Sequence, residues 1–244
     1  MSAPTGGAKG SSDRVLLEGP QSRTRELLML FRAFRDFIRG FRALHFVGPC
    51  VTIFGSARFG EKHPYYALTR EVGRRVSQLG FTVMTGGGPG LMEAANRGAR
   101  DHGGPSVACN IELPHEQDAN PHLDLWISCH YFFVRKVLLF KYSYAFVAMP
   151  GGIGTLDELF EALTLIQTKK IRNFPVVLIG TEYWKTLVAL LRDLEREGAI
   201  ATEDLNLVMV TDDLDAAMAH LEAHTVVPFG LTRRPQRWLG EKGL

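Results

Sequence analysis

Between residues 50 and 223, short apolar runs alternate with stretches of helical periodicity. That alternation constrains the fold more than any other feature of the chain. The runs are Val51–Phe54, Thr82–Thr85, Ser106–Asn110, Leu125–Ser128, Ala145–Met149, Pro175–Ile179 and Leu207–Val210, and the helical stretches fall at 64–79, 91–102, 131–142, 155–168, 183–197 and 212–223. Several runs are apolar at every position, as a strand covered on both faces requires. Strand and helix in alternation predict an α/β fold, a doubly wound parallel sheet flanked by helices.

The flanks differ in character. Residues 1–20 are rich in Gly, Ser and Pro and are expected to be a disordered tail. In 21–44, Leu27, Leu28, Phe31, Phe34, Ile38, Phe41 and Leu44 recur every three or four positions among Arg32, Arg35, Arg39 and Arg42. This predicts an amphipathic helix whose aromatic stripe packs on the core or on a neighbouring subunit. A membrane-surface or partner-binding helix is the alternative. The α/β domain then occupies 45–230, and 231–244 form a polar C-terminal tail.

Of the 244 residues, 45% are apolar and 22% charged, as in an ordinary globular chain with a core to bury. The net charge is +2, with eight Lys/Arg against four Asp/Glu in the first fifty residues. This is too little basic charge for nucleic-acid binding to be the main business of the fold. No apolar stretch is long enough to span a bilayer, and the N-terminus has no apolar core of the secretory kind, so a cytosolic protein is expected. Cys50, Cys109 and Cys129 lie in or beside apolar runs without a C-x-x-C pair and read as buried thiols, not a disulfide framework or a zinc site. His220 and His224 lack the H-E-x-x-H pattern of a zinc protease, and His115 and His122 sit in a polar loop with Glu116 and Asp118.

Ligands of open parallel sheets bind beyond the carboxyl ends of the strands. Three strand-end loops stand out there: Phe54-Gly55-Ser56-Ala57-Arg58, Thr85-Gly86-Gly87-Gly88-Pro89-Gly90-Leu91-Met92-Glu93, and Met149-Pro150-Gly151-Gly152-Ile153-Gly154-Thr155-Leu156-Asp157-Glu158. Glycine lets backbone approach an anion, and the helix start that follows offers unpaired N–H groups, so these turns point to phosphate. Neither the dinucleotide fingerprint G-x-G-x-x-G nor the G-x-x-x-x-G-K-[ST] loop is present. Both glycine turns instead reach a carboxylate, Glu93 or Glu158, about one helical turn in, which suits a sugar phosphate whose ring meets the acid. Thr155 to Glu158 also has the spacing of a capping box. Arg135 and Lys136 are adjacent cations early in a helix, so at most one is expected to point into the site.

Together these residues resemble the Lonely Guy family of cytokinin riboside 5′-monophosphate phosphoribohydrolases, formerly often labelled lysine decarboxylases. The resemblance spans about residues 51–210. It rests on Gly86-Gly87-Gly88-Pro89-Gly90-Leu91-Met92-Glu93-Ala94-Ala95-Asn96, on Arg135-Lys136, and on Pro150-Gly151-Gly152-Ile153-Gly154-Thr155 through Glu158. It implies a Rossmann-like fold, a homodimer or larger homo-oligomer, no cofactor and no metal. The implied reaction hydrolyses the N-glycosidic bond of a nucleoside 5′-monophosphate to free base and ribose 5-phosphate. By position, Arg135 and Glu158 are the implied catalytic pair. Gly152, Gly154 and Thr155 are implied at the phosphate, Gly86, Gly87 and Gly88 in the nucleotide pocket, Gly151 and Lys136 among the substrate-binding residues, and Ser56, Arg58 and Glu93 at matching places. Glu93 stands where plant-type members often carry glycine, a form that resembles the broader bacterial branch with general nucleotide nucleosidases.

Two rival functions belong to other classes. One is a non-catalytic carrier of a nucleotide or a molybdenum cofactor on the same fold. The other is a pyridoxal-phosphate decarboxylase, which needs a Schiff-base lysine such as Lys136 or Lys169.

Overall fold

The structure, a computed structural model, describes residues 12–17, 19–112, 119–172 and 174–229. Seven strands form one sheet: β1 (Cys50–Phe54), β2 (Thr82–Thr85), β3 (Ser106–Ile111), β4 (Leu125–Cys129), β5 (Ser143–Ala148), β6 (Val176–Ile179) and β7 (Met209–Thr211). Their spatial order is β4-β3-β2-β1-β5-β6-β7, every neighbouring pair parallel. The chain thus winds outward from β1 in one direction and returns beside β1 at β5 to wind in the other. The switch point lies between β1 and β5, where Val51 faces Ala145 and Phe54 faces Ala148. This is the doubly wound Rossmann-like sheet expected from the apolar runs.

The helices are α1 (Ser12–Leu17), α2 (Arg23–Leu44), α3 (Pro64–Gln78), α4 (Leu91–Asp101), α5 (Phe132–Tyr142), α6 (Ile153–Gln167), α7 (Thr181–Arg196) and α8 (Leu214–Phe229). They divide between the two faces of the sheet. Phe54, Met84, Phe146 and Leu178 pack with Leu44 of α2, Leu138 of α5, Leu159 of α6 and Trp184 of α7. Ile53, Val83, Val147 and Val177 pack on the other side with Val72 of α3, Ala95 of α4 and Leu221 of α8. A side chain on either face of these strands therefore leaves water, which is why Ala145–Met149 and Val176–Ile179 read as unbroken apolar runs and the polar residues of β1 and β2 are buried threonines. Cys50, Cys109 and Cys129 are all buried free thiols.

Helices α3 and α4 meet backbone to backbone. A Cβ at Gly73 would overlap the carbonyl of Ala95, and one at Gly98 would overlap the carbonyl of Arg70.

Two details differ from the sequence expectations, and a third settles what the periodicity left open. Within the segment expected to be a disordered tail, residues 12–17 form α1, and Asp13 accepts a hydrogen bond from the backbone N–H of Phe132 at 3.2 Å. The last strand starts at Met209, because Leu207 closes a 3₁₀ turn over Thr202–Leu207. The third concerns α2, which buries Ala33, Asp36, Gly40 and Leu44, while Phe31 and Phe34 are each 63% exposed, with Leu27, Leu28 and Ile38 exposed beside them. Periodicity shows that a stripe exists but not which way it faces. Here the small side chains close on α5, where a Cβ at Gly40 would overlap Leu138; Phe41 and Leu44 pack on the core, while the stripe from Leu27 to Ile38 is turned away from it. Residues 1–11 and the C-terminal tail 231–244 lie outside the described residues, as does the loop carrying His115, Glu116 and Asp118. Among the described residues, no helix is long and apolar enough to cross a membrane.

Candidate active site

The three glycine-bearing loops are stitched together at the switch point. The Ser56 N–H donates to the Pro150 carbonyl at 3.0 Å, and the Leu91 N–H donates to the Ser56 carbonyl at 2.9 Å. Ser56 thus ties the loop after β1 to those after β5 and β2. Gly90 adopts φ 71°, and a Cβ there would strike Ser56 and Ala57, so this join needs glycine on both steric and conformational grounds. The Tyr183 hydroxyl donates to the Gly151 carbonyl at 2.7 Å and steadies the third loop from α7.

That third loop opens α6 differently from the expected capping box. The helix begins at Ile153 with Gly152 as its N-cap, no side chain caps it, and no acidic residue lies in its first turn. Thr155 is therefore inside the helix and buried, and Glu158 lies beyond reach of a cap role. A Cβ at Gly152 or at Gly154 would meet nothing within 4 Å. Gly152 has an ordinary φ of −91°. Neither packing nor backbone geometry demands glycine at these two positions; the open space lies over the positive end of α6, where an anion is favoured.

Glu158, one turn further along, is 3% exposed at its side chain. Arg135 Nη1 donates to its Oε1 at 2.8 Å, and its Oε2 is buried with no partner. Burial raises the Glu158 carboxyl above its ordinary value of 4.5, while the charges of Arg135 and Lys136 pull it back down. Arg135 is anchored at its other end, its Nε donating to the Cys109 carbonyl at 3.0 Å. The guanidinium lies over Gly86, where a Cβ would come within 2.8 Å of Nη2. The second glycine loop and the Arg135–Glu158 pair therefore share one wall.

The remaining candidates are spread around this centre. Lys136 does not aim at the start of α6 as a free cation. It pairs with Asp157 and Glu161, each at 2.8 Å, along the outside of the helix that carries Glu158. Both adjacent cations of α5 thus reach α6, but only Arg135 points into the site, while Lys136 lies along the outside of the helix. Glu93, in the first turn of α4, accepts a hydrogen bond from the Tyr66 hydroxyl at 3.1 Å. Arg58 is exposed, and its backbone N–H donates to Ser56 Oγ at 3.1 Å.

A buried polar network holds the Gly86–Gly88 loop from below, and no motif announces it. Asn96 Oδ1 accepts from Thr85 Oγ1 at 2.6 Å and from Asn120 Nδ2 at 3.0 Å, and its own Nδ2 donates to Ser106 Oγ at 2.8 Å. Thr85 Oγ1 accepts the Gly87 N–H at 2.9 Å, and the Asn120 N–H donates to the Gly87 carbonyl at 3.1 Å. The one sequence sign was an asparagine on the apolar face of α4 beside Ala94 and Ala95.

Fold and site together define a Rossmann-like α/β protein with glycine turns and a buried arginine–glutamate pair at its switch point. Residues 92–221 match the family described as "possible lysine decarboxylase". The chain is 30% identical over 181 residues to the cytokinin riboside 5′-monophosphate phosphoribohydrolase of Rhodococcoides fascians, covering 71% of this chain and 89% of that protein. It is 28% identical over 194 residues to a probable enzyme of the same name from Oryza sativa subsp. japonica, covering 77% of each. Among solved structures, the molybdenum cofactor carrier protein of Chlamydomonas reinhardtii superposes with a TM-score of 0.56 at 24% identity, covering 72% of this chain and 98% of that one, a likeness of fold. The chain belongs to the Lonely Guy family.

Proposed function

We propose that the protein is a phosphoribohydrolase that hydrolyses the N-glycosidic bond of a nucleoside 5′-monophosphate, such as AMP or its N6-isopentenyl form. The carrying observation is the half-satisfied carboxylate: Glu158 has one oxygen held by Arg135 and the other buried and free, one turn inside a bare helix start. In this reading the 5′-phosphate takes the open start of α6 beside Gly151, Gly152, Gly154 and Thr155, and the ribose lies over Glu158. Breaking the C1′–N bond puts positive, oxocarbenium-like charge on the sugar. Ionised Glu158 stabilises that charge, and its free oxygen accepts a proton from the water that adds to C1′. The bonding pair leaves with the base, which takes up a proton. Arg135 is too weak an acid to supply it and serves instead to hold Glu158 and to balance charge on the departing base.

The enzyme acts in the cytosol as a homodimer or larger assembly, with the outward stripe of α2 as the apolar surface an assembly would cover. Resemblance to molybdenum cofactor carriers is one of fold.

The deciding experiment is a chromatographic assay of the purified protein with AMP, N6-isopentenyl-AMP, CMP and the matching dephosphorylated nucleosides. Free base from the monophosphates alone is the expected result, and their order ranks cytokinin release against general salvage. Absence of base from every substrate, with the protein folded, would put a carrier in the enzyme's place.

A further inference from the structure

Helix α5 carries Arg135 but does not cap itself. Its N-cap is Tyr131, which makes no side-chain cap hydrogen bond, and its first turn has no acidic residue. Backbone N–H groups at and just before that start find their partners in the N-terminal helices. Asp36 of α2, 1% exposed, accepts the His130 N–H at 2.8 Å and lies 3.0 Å from His130 Nδ1 with both carboxylate oxygens. Asp13 of α1 accepts the Phe132 N–H at 3.2 Å. Two carboxylates thus sit at the positive end of α5, where they are most favourable. The contact continues along the helix, with Phe37 and Phe133 rings 6.4 Å apart and Gly40 pressed against Leu138. His130 is held from its other side as well, its Nε2 lying 3.5 Å from Glu112 Oε2.

We propose that Asp36 is a positioning residue for the hydrolysis. By clamping His130 and the start of α5, it sets the height and rotation at which Arg135 reaches Glu158. The proposal rests on the phosphoribohydrolase reading above, and it assigns a role to a residue outside the 92–221 region that matches the family. Arg135 sits one turn into α5, so a tilt or fray at residues 130–132 displaces its guanidinium. Displacement takes away the cation that offsets the burial of Glu158. The groups that act on that carboxylate are Arg135 and Lys136 from α5 and Asp157 and Glu161 from its own helix. With Arg135 withdrawn, Glu158 holds its proton to a higher pH.

The test compares the full chain with Asp36→Ala, Asp36→Asn, Arg135→Ala and the Asp36→Ala/Arg135→Ala double variant. Asp36→Asn keeps an acceptor for the His130 N–H and guards against a fold that does not survive alanine. Turnover of AMP by Asp36→Ala is expected to fall about tenfold or more in kcat with KM changed by less than about threefold. The acid limb of its pH profile moves upward, and Asp36→Asn recovers most of the loss. In the Arg135→Ala background the Asp36 substitution costs less than about twofold more. Hydrogen exchange of the 132–136 amides speeds up by about tenfold while the strands keep their protection. Wild-type kcat and an unmoved acid limb in Asp36→Ala would overturn the proposal, as would a full multiplicative loss in the double variant. If the wild-type chain turns over no nucleotide, the phosphoribohydrolase reading falls, and the exchange comparison alone decides whether Asp36 positions α5.

Discussion

Arg135 and Glu158 meet through one oxygen only: Nη1 bonds Oε1 at 2.8 Å, and Oε2 is left buried without a partner. An unsatisfied carboxylate oxygen in the interior carries a desolvation cost that a purely structural ion pair would avoid by forming both bonds. Glu158→Gln keeps the shape and removes the charge. Turnover of AMP is expected to drop by about 10³-fold with nucleotide binding retained, the scale of a lost electrostatic contribution to a transition state. Turnover near the wild-type rate would remove Glu158 from the chemistry.

Burial lifts the Glu158 carboxyl above 4.5 against the opposing pull of Arg135 and Lys136. Since the reaction needs the ionised form, kcat falls on acidification through a limb that lies above pH 4.5. The same shift acts on stability with a definite sign. The native state binds this proton more tightly than the unfolded chain, so this contribution to stability is present at low pH and lost as pH rises from 4.5 through the raised value. The stability of the wild type relative to Glu158→Gln therefore declines across that window, measurable by denaturant unfolding at several pH values. A flat difference would contradict the assignment.

Gly154 faces open space at the start of α6. Alanine there should raise stability by about 0.5–1 kcal/mol, the usual gain over glycine in a helix. It should nevertheless raise the KM for AMP about tenfold, the loss of one charge-assisted bond, while leaving the binding of adenosine as it was. Equal effects on nucleotide and nucleoside would show that the phosphate does not lie here.

Asn96 bonds at once to Thr85, Asn120 and Ser106 in the interior. Asn96→Ala leaves those partners buried and short of bonds and should cost about 2–4 kcal/mol, seen as a lower melting temperature. Because Thr85 and Asn120 hold Gly87, kcat/KM should fall in the same variant. A stable variant with a slack glycine loop would separate the two roles.

The exposed stripe of α2 predicts assembly. Phe31→Glu combined with Phe34→Glu should lower the mass measured by light scattering, with the fold intact by circular dichroism. An unchanged mass would show that this stripe is not the contact.

The sheet was legible in the sequence because its central strands are covered on both faces and read as largely apolar, while the edge strands β4 and β7 are only partly buried. Element ends were less so: Leu207 and Val208 are as apolar as a strand, and only the turn over Thr202–Leu207 separates them from β7. The capping-box spacing of Thr155 and Glu158 was real, but Gly152, three residues before the expected cap, serves instead and has no side chain to declare it. The pairing of Arg135 with Glu158 came from family resemblance and not from spacing, since the two lie 23 positions apart. Asp36 escaped notice for a related reason. Its partner His130 is 94 residues away, and a lone aspartate in an arginine-rich helix looks like a solvated charge until the fold buries it.

The glycine contacts between α3 and α4 make one joint of the fold a matter of backbone alone. There, main chain lies against main chain, so there is no side chain to enlarge, trim or repack without parting the helices. On the other face of the sheet, α5 and α6 meet through long side chains, Arg135 and Lys136 reaching Glu158, Asp157 and Glu161. The spacing of α5 and α6 can therefore drift by exchange of side chains, whereas that of α3 and α4 is set by the main chain itself.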